Sequence, residues 1–176
     1  NKRKLDKSEA YCSGKVEIQD IGSQAVVEFI NPTKGSKILD FCAGSGGKTL
    51  AMASLTFGRA DHFVYDINQA KLSNLQKRCD RAGVKVEIIN PTTKNIQYSL
   101  VVADVPCSGT GVWKRNPGSK WYLTKEKLDT LLLNQKKILK QAAVLVQKGG
   151  ALAYITCSVL KSENEEQISW FLEQSK

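Results

Sequence analysis

Five short apolar runs frame this chain: Lys37–Phe41, His62–Asp66, Lys85–Ile89, Leu100–Val105 and Ala151–Ile155. Between and after them lie stretches with helical periodicity, Gly46–Leu55, Gln69–Arg81, Lys125–Gln147 and Ser162–Gln174. Strands alternating with helices of about ten residues or more predict a mainly parallel sheet with helices on both faces, a doubly wound α/β domain. The punctuation agrees. Ser23 heads a short helical stretch, Gln24–Ile30, that Asn31-Pro32 ends, Thr124 is placed to cap the long helix, and Gly83 and Gly149-Gly150 are placed to stop helices. Ser162-Glu163-Asn164-Glu165 has the form of a capping box before the last helix. The expectation is a single domain over residues 1–176, with a charged, loose segment at 1–13.

Parallel strands present their carboxyl ends to one crevice, where ligands bind. Two runs lead into phrases that carry a thiol, Asp104-Val105-Pro106-Cys107-Ser108-Gly109 and Tyr154-Ile155-Thr156-Cys157-Ser158. The topology can therefore bring Cys107 and Cys157 to one site. A strand-end thiol in a Pro/Gly turn is a candidate nucleophile, and an inert core cysteine is the plain alternative for each. Cys12 and Cys79 have no such setting. The five cysteines are scattered and form no CxxC pair, and His62 is the only histidine. That composition argues against a disulfide framework or a metal site and for a reducing, cytoplasmic setting. No run approaches membrane-spanning length.

The first run passes into Asp40-Phe41-Cys42-Ala43-Gly44-Ser45-Gly46-Gly47-Lys48-Thr49. Glycines here allow a sharp turn and close approach of a ligand, and the helix behind offers free N–H groups. The spacing matches neither the dinucleotide fingerprint nor the Walker A loop. Asp40 at the strand end can hold a cationic or hydroxylated group. Asp66, at the end of the next run, suits the two hydroxyls of an adenosine ribose, with a helix N-cap as the alternative. Together these features suggest a nucleoside cofactor without a long phosphate tail, and S-adenosylmethionine fits.

The formal charge is +9, from 26 Lys+Arg against 17 Asp+Glu, which favours an anionic partner, nucleic acid before membrane surface. Trp113-Lys114-Arg115-Asn116-Pro117 and Lys120-Trp121-Tyr122 interleave bases with aromatics, as single-stranded nucleic acid requires. A solvated loop with its tryptophans packed inward is the alternative. Lys136, Lys137 and Lys140 have the spacing of a solvated helix face.

Taken in order, these phrases resemble the RNA 5-methylcytosine methyltransferases of the Nol1/Nop2/Sun family. The likeness runs from about Gly14 to Gln174 and includes Gln19-Asp20-Ile21-Gly22-Ser23-Gln24, Cys42–Thr49, Asp104–Gly111 with Arg115, Pro117 and Trp121, then Thr156–Leu160 and Glu163-Asn164-Glu165. The resemblance implies a Rossmann-like fold using S-adenosylmethionine. Cys42, Ala43, Gly44, Ser45, Gly46, Gly47 and Lys48 would wrap its methionine end, Asp66 would hold the ribose, and Asp104 would border the same site. Cys157 matches the family's nucleophile, which adds to C6 of cytosine. Asp104 would bind the base near N3/N4, Lys48 would face the base or its sugar, and Cys107 would assist loss of the C5 proton and release. Lys114, Arg115 and Trp121 would meet RNA, with rRNA the substrate in bacterial members.

The chain carries Ile89-Asn90-Pro91 where the family usually has Asp, so Asn90 would meet adenine through its amide, and a short loop follows. The strands that complete the family's sheet are expected to be missing after Gln174, and a separate RNA-binding domain is not expected before Gly14. A catalytic-core fragment or a minimal member, monomeric by default, is the expectation. Two other functions stay open: a catalytically weak RNA-binding or ribosome-assembly relative, and a DNA cytosine methyltransferase whose nucleophile is Cys107.

Overall fold

The computed structural model describes residues 2–91 and 96–174. Its centre is a five-stranded, wholly parallel sheet: β1 (Lys37–Asp40), β2 (Asp61–Val64), β3 (Glu87–Ile88), β4 (Tyr98–Asp104) and β5 (Val146–Ile155), in the spatial order β3-β2-β1-β4-β5. The chain winds outward from β1 to β3, then returns to place β4 on β1's other side. The crevice at that reversal opens beyond the carboxyl ends of β1 and β4, where Asp40 and Asp104 stand.

Alternation along the strands assigns the two faces. Leu39, Phe41, Val101, Ala103 and Val105 are buried toward Ile138, Ala142 and Leu145. Ile38, Leu100 and Val102 are buried toward Val27 and Met52. The first group packs against α5 (Lys125–Ala143); the second packs against α2 (Ile21–Ile30) and α3 (Gly47–Leu55). Helix α4 (Gln69–Ala82) extends the second face, where Leu72, Leu75 and Cys79 meet Leu50 and Val64. Each buried Leu, Ile, Val, Phe or Met among them contributes about 1.5–3 kcal/mol. The expected α/β fold is therefore present, with helices on both faces.

Several boundaries differ from the sequence-based expectation. α2 begins under Asp20 rather than Ser23, because the Asp20 carboxylate accepts the Ser23 N–H at 3.4 Å. It ends at Asn31, whose left-handed φ of 51° turns the chain into Pro32. The long helix stops at Ala143, not Gln147, because Leu145 drops into the core and Val146 joins the sheet opposite Tyr98. Gly149 and Gly150 thus lie inside β5, where the register shifts, instead of terminating a helix. Ser162 does not cap the last helix. It sits in a 3-10 turn, Lys161–Glu163, and α6 is Glu165–Gln174.

The charged start forms a 3-10 helix, Lys2–Lys7, and the short α1 (Glu9–Cys12). Arg81 covers the Tyr11 ring at 3.9 Å and bridges to Glu17 at 2.5 Å. The loop expected to be short after Asn90 falls partly outside the described residues. Among the described residues no helix is long and apolar enough to cross a membrane, and no cluster of three or more His, Cys, Asp or Glu could hold a metal ion.

Candidate active site

A cleft of about 930 Å³ follows the strand ends, bounded by the turns after β1, β2 and β4, by Cys157 after β5, and by α5 through Asn134, Lys137, Ile138 and Gln141. The turn after β1 is shaped by Gly46, which caps α3 with a φ of 85°. A Cβ there would lie 2.7 Å from the Leu75 side chain, so only glycine lets α4 pack this close. Asp66 braces the turn: its carboxylate accepts Gly44 N–H and Asn68 N–H, each at 2.8 Å. Asp66 is therefore a brace for two loops as well as a cleft residue, while Asn68, not Asp66, caps α4.

Asp40 is 1% exposed. Its Oδ2 accepts the Thr49 hydroxyl at 2.7 Å, and its Oδ1 has no partner. Burial, opposed by the Thr49 hydrogen bond, pushes its carboxyl up to about 7. An unpaired carboxylate oxygen at the base of a ligand-sized cleft is a costly arrangement for the free protein. Cys42 also borders the cleft, and burial, aided by the three nearby carboxylates, pushes its thiol up to about 12, so it stays protonated.

At the other end of the cleft Cys107 and Cys157 meet, with their sulfurs 3.2 Å apart. Both thiols are free. The Cys157 N–H donates to Cys107 Sγ at 3.3 Å, and an S–H of the pair bridges the two sulfurs. That bond is the main reason the Cys157 thiol falls to about 7; Lys48 also lowers it, against burial and Asp104. The same contact, followed by burial, drives Cys107 well above the usual thiol range. Cys157 is thus the more readily ionised of the two thiols. Beside them Lys48 Nζ and Asp104 Oδ2 form an ion pair at 2.5 Å.

Cys157, Lys48 and Asp104 also border a second hollow of about 540 Å³, lined further by Gly111, Lys114, Arg115 and Ser158. The thiol therefore stands between two spaces, one bounded by the glycine turn and the other by basic side chains. Gly111 fixes this wall: its N–H donates to the Cys157 carbonyl at 3.0 Å, and a Cβ would approach that oxygen to 2.9 Å. Gly111→Ala should cost about 1–3 kcal/mol of stability by overpacking, measured by urea unfolding. An unchanged unfolding midpoint would show that the wall yields without strain.

Of the predicted positions, Cys42, Ala43, Gly44, Ser45, Gly47, Lys48, Asp66, Asp104, Cys107 and Cys157 line the main cleft, and Gly46 is buried within the turn that forms its wall. Asn90 is outside this lining but follows β3 at the register of Asp66, since Val64 pairs with Ile88. Lys114 and Arg115 both line the second hollow, where Arg115 is tied to Asp20 by an ion pair. Trp121 is 78% exposed, with Lys120 Nζ over its ring at 4.8 Å, so it is not packed inward. Lys136 and Lys140 are not merely solvated; both lie over Trp170. The sequence reading missed Thr49, Gln135 and the side-chain role of Glu163. Gln135 carried a signal, since it shares a helix face with Leu139 and Ala142, all fully buried.

With this geometry in view, comparison with known proteins is informative. The family model described as 16S rRNA methyltransferase RsmB/F matches residues 27–176. The protein from Klebsiella pneumoniae called ribosomal RNA small subunit methyltransferase B is 34% identical over 169 residues, covering 92% of this chain and 39% of its own length. Its Salmonella heidelberg counterpart is 33% identical over 172 residues, covering 94% of this chain and 40% of its own. This chain thus spans about two-fifths of these relatives. Among solved structures, PH0851 superposes with a TM-score of 0.91 at 31% identity, over 97% of this chain and 40% of that one. NSun6 from Pyrococcus horikoshii, solved with SFG, gives 0.86 at 23% identity, over 97% and 45%, and shares the fold. The chain belongs to the RsmB/F family of 16S rRNA methyltransferases, within the Nol1/Nop2/Sun proteins.

Proposed function

We propose that this chain is the catalytic core of an S-adenosylmethionine-dependent RNA methyltransferase acting at C5 of a cytosine in 16S rRNA. The observation that carries the proposal is the Cys107–Cys157 pair, with one thiol lowered and the other raised, at the partition between two hollows. Cys157 lines both hollows and Cys107 lines the main one, where an inert pair of core cysteines would line neither.

The cleft fits S-adenosylmethionine. The unpartnered Asp40 oxygen suits the ammonium of its methionine part, and the glycine turn and the α3 N-terminus suit the carboxylate. Asp66 retains lone pairs for the ribose hydroxyls while it braces Gly44. Bound there, S-adenosylmethionine would supply an electrophilic methyl group.

The protein's own residues would do the rest. Cys157 thiolate adds to C6 of the cytosine: a sulfur–carbon bond forms, the C5=C6 π bond opens, and electron density moves to C5 and toward N3. Asp104 would accept the N4 amino hydrogen of the base, and Lys48, paired with it, would supply the positive charge that offsets the negative charge developing toward N3. The chief cause of Cys107's raised pKa is its bond to Cys157. Once Cys157 is spent in the sulfur–carbon bond, that cause disappears, so Cys107 would release its S–H proton to solvent, and the resulting thiolate would take the C5 proton. Loss of that proton restores C5=C6 and expels Cys157 as thiolate. In this reading Cys157 acts as nucleophile and leaving group, and Cys107 as the base.

Lys114 and the exposed Trp121 would guide the strand, while Arg115 would need to leave Asp20 before touching RNA. The direct test is to incubate the protein with unmodified 16S rRNA and S-adenosylmethionine, then digest the RNA and weigh its nucleosides. 5-Methylcytidine is the expected product. Methyl groups on any other base atom would overturn the assignment, and RNA binding without methyl transfer would favour a ribosome-assembly role.

A further inference from the structure

Glu163 has 0% exposure, and among the described residues its carboxylate has no ion-pair partner. A bare buried carboxylate is strongly unfavourable unless hydrogen bonds replace its water. Three do. Ser108 donates both its N–H, at 2.8 Å, and its hydroxyl, and the Gln135 amide donates at 2.9 Å. Burial acts to raise the carboxyl, but the surrounding donors outweigh it, and Glu163 is held below the usual range.

These bonds converge on one residue. Ser108 follows Cys107 in the chain, and Pro106 precedes it. The second Gln135 amide hydrogen goes to the Pro106 carbonyl at 3.0 Å. Glu163 and Gln135 therefore grip the backbone on both sides of Cys107. On the Cys157 side, Ser158 Oγ lies 3.0 Å from Thr110 Oγ1 and 3.3 Å from Ser108 Oγ. Val159 N–H donates to Thr110 Oγ1 at 3.0 Å. Tyr154 of β5 donates its hydroxyl to the Glu163 carbonyl at 2.8 Å. One buried residue thus links the loop after β4 to the strand and loop that carry Cys157.

We propose that Glu163 is the positioning residue of the thiol pair, its buried carboxylate fixing the Cys107 turn through Ser108 and so setting the sulfur–sulfur contact with Cys157. This rests on the assignment of Cys157 as nucleophile. An ionised side chain suits the task because its oxygens accept strongly and have no hydrogen to offer; both Ser108 donors are thereby committed in one direction. Without it, the Ser108 and Gln135 donors lose their acceptor and the turn is free to move. Contact with the Cys107 S–H, which keeps the neighbouring sulfur a thiolate, is then lost.

The test follows alkylation of each cysteine in the intact chain by iodoacetamide across pH, resolved by peptide mass spectrometry, without RNA or cofactor. In the parent, Cys157 should be modified ahead of Cys107 with a midpoint near 7. In Glu163→Ala the Cys157 midpoint should move toward roughly 8.5, the ordinary thiol range. Glu163→Gln, which can still accept the Ser108 N–H, should fall between. Ser108→Ala, which loses one donor and keeps the backbone bond, should shift the midpoint in the same direction by less, and it decides the matter if Glu163→Ala does not fold. A depressed parent midpoint that is unmoved in folded Glu163→Ala, or in Ser108→Ala should that variant be the one that folds, overturns the positioning role alone. A parent midpoint in the ordinary range overturns the thiol-pair assignment as well.

Discussion

Cys107→Ala, incubated with 16S rRNA and S-adenosylmethionine, is expected to accumulate a protein–RNA adduct that survives denaturing electrophoresis, at ten-fold or more over the parent. The adduct should be absent from Cys157→Ala and from the double variant. The sulfurs lie 3.2 Å apart, so removing Cys107 has two opposed consequences. It withdraws the hydrogen bond that chiefly lowers the Cys157 thiol, so the adduct should form more slowly than in the parent. It also withdraws the group that accepts the C5 proton, so the adduct should persist once formed. The time course should therefore show slow rise to a high plateau, against rapid formation and a low steady level in the parent. An adduct in Cys157→Ala that vanishes on replacing Cys107 would make Cys107 the nucleophile, as in the DNA-type chemistry. No adduct in any variant, with RNA still bound, would favour a non-catalytic relative.

The parts of this site that were legible in the sequence are those governed by local pattern. β1, β2 and β4 are short apolar runs whose ends carry Asp40, Asp66 and Asp104, and the parallel topology alone predicts that these ends gather. The meeting of Cys107 and Cys157 followed from the same rule. What escaped notice depended on tertiary partners. Nothing local distinguishes Glu163 from the exposed Glu165 and Glu166; it is functional because Ser108 and Gln135 happen to face it. Asp66 reads as a ribose ligand or a helix cap, yet its two oxygens brace Gly44 and Asn68 across separate loops. The β5 boundary failed for a similar reason. Val144, Leu145 and Val146 continue an apolar pattern compatible with a helix, and only pairing of Val146 with Tyr98 decides for the sheet. Asn90 was assigned from its place after the third strand, and the pairing of Val64 with Ile88 sets it level with Asp66 on the neighbouring strand.

Asp40→Asn should make the free protein more stable at pH 8 and weaken its hold on S-adenosylmethionine. The carboxyl is raised from its ordinary 3.8 to about 7, first by burial. Between those values the unfolded chain has released the proton while the folded one retains it, so stability falls as pH rises through this window and levels off above about 7. The gap corresponds to roughly 4 kcal/mol of penalty at full ionisation. Asparagine can still accept the Thr49 hydroxyl but places an N–H₂ where Oδ1 lacked a partner, which returns part of the gain as an unsatisfied donor costing about 1–3 kcal/mol. The net expectation at pH 8 is a stabilisation of about 1–3 kcal/mol, or about 2–4 °C in melting temperature for each kcal/mol in a chain of this size. At pH 5 the difference should shrink or reverse, because the parent carboxyl is then protonated in the fold. Saturating S-adenosylmethionine should act the other way. A cation seated against Asp40 removes the penalty, so the ligand should raise the parent's melting temperature at pH 8 well beyond what it does for Asp40→Asn. Differential scanning calorimetry of both proteins, with and without ligand, measures all of these changes. Equal ligand-induced shifts would remove Asp40 from the cofactor site. A pH-independent difference between the free proteins would mean that its carboxyl does not titrate in the fold as burial requires.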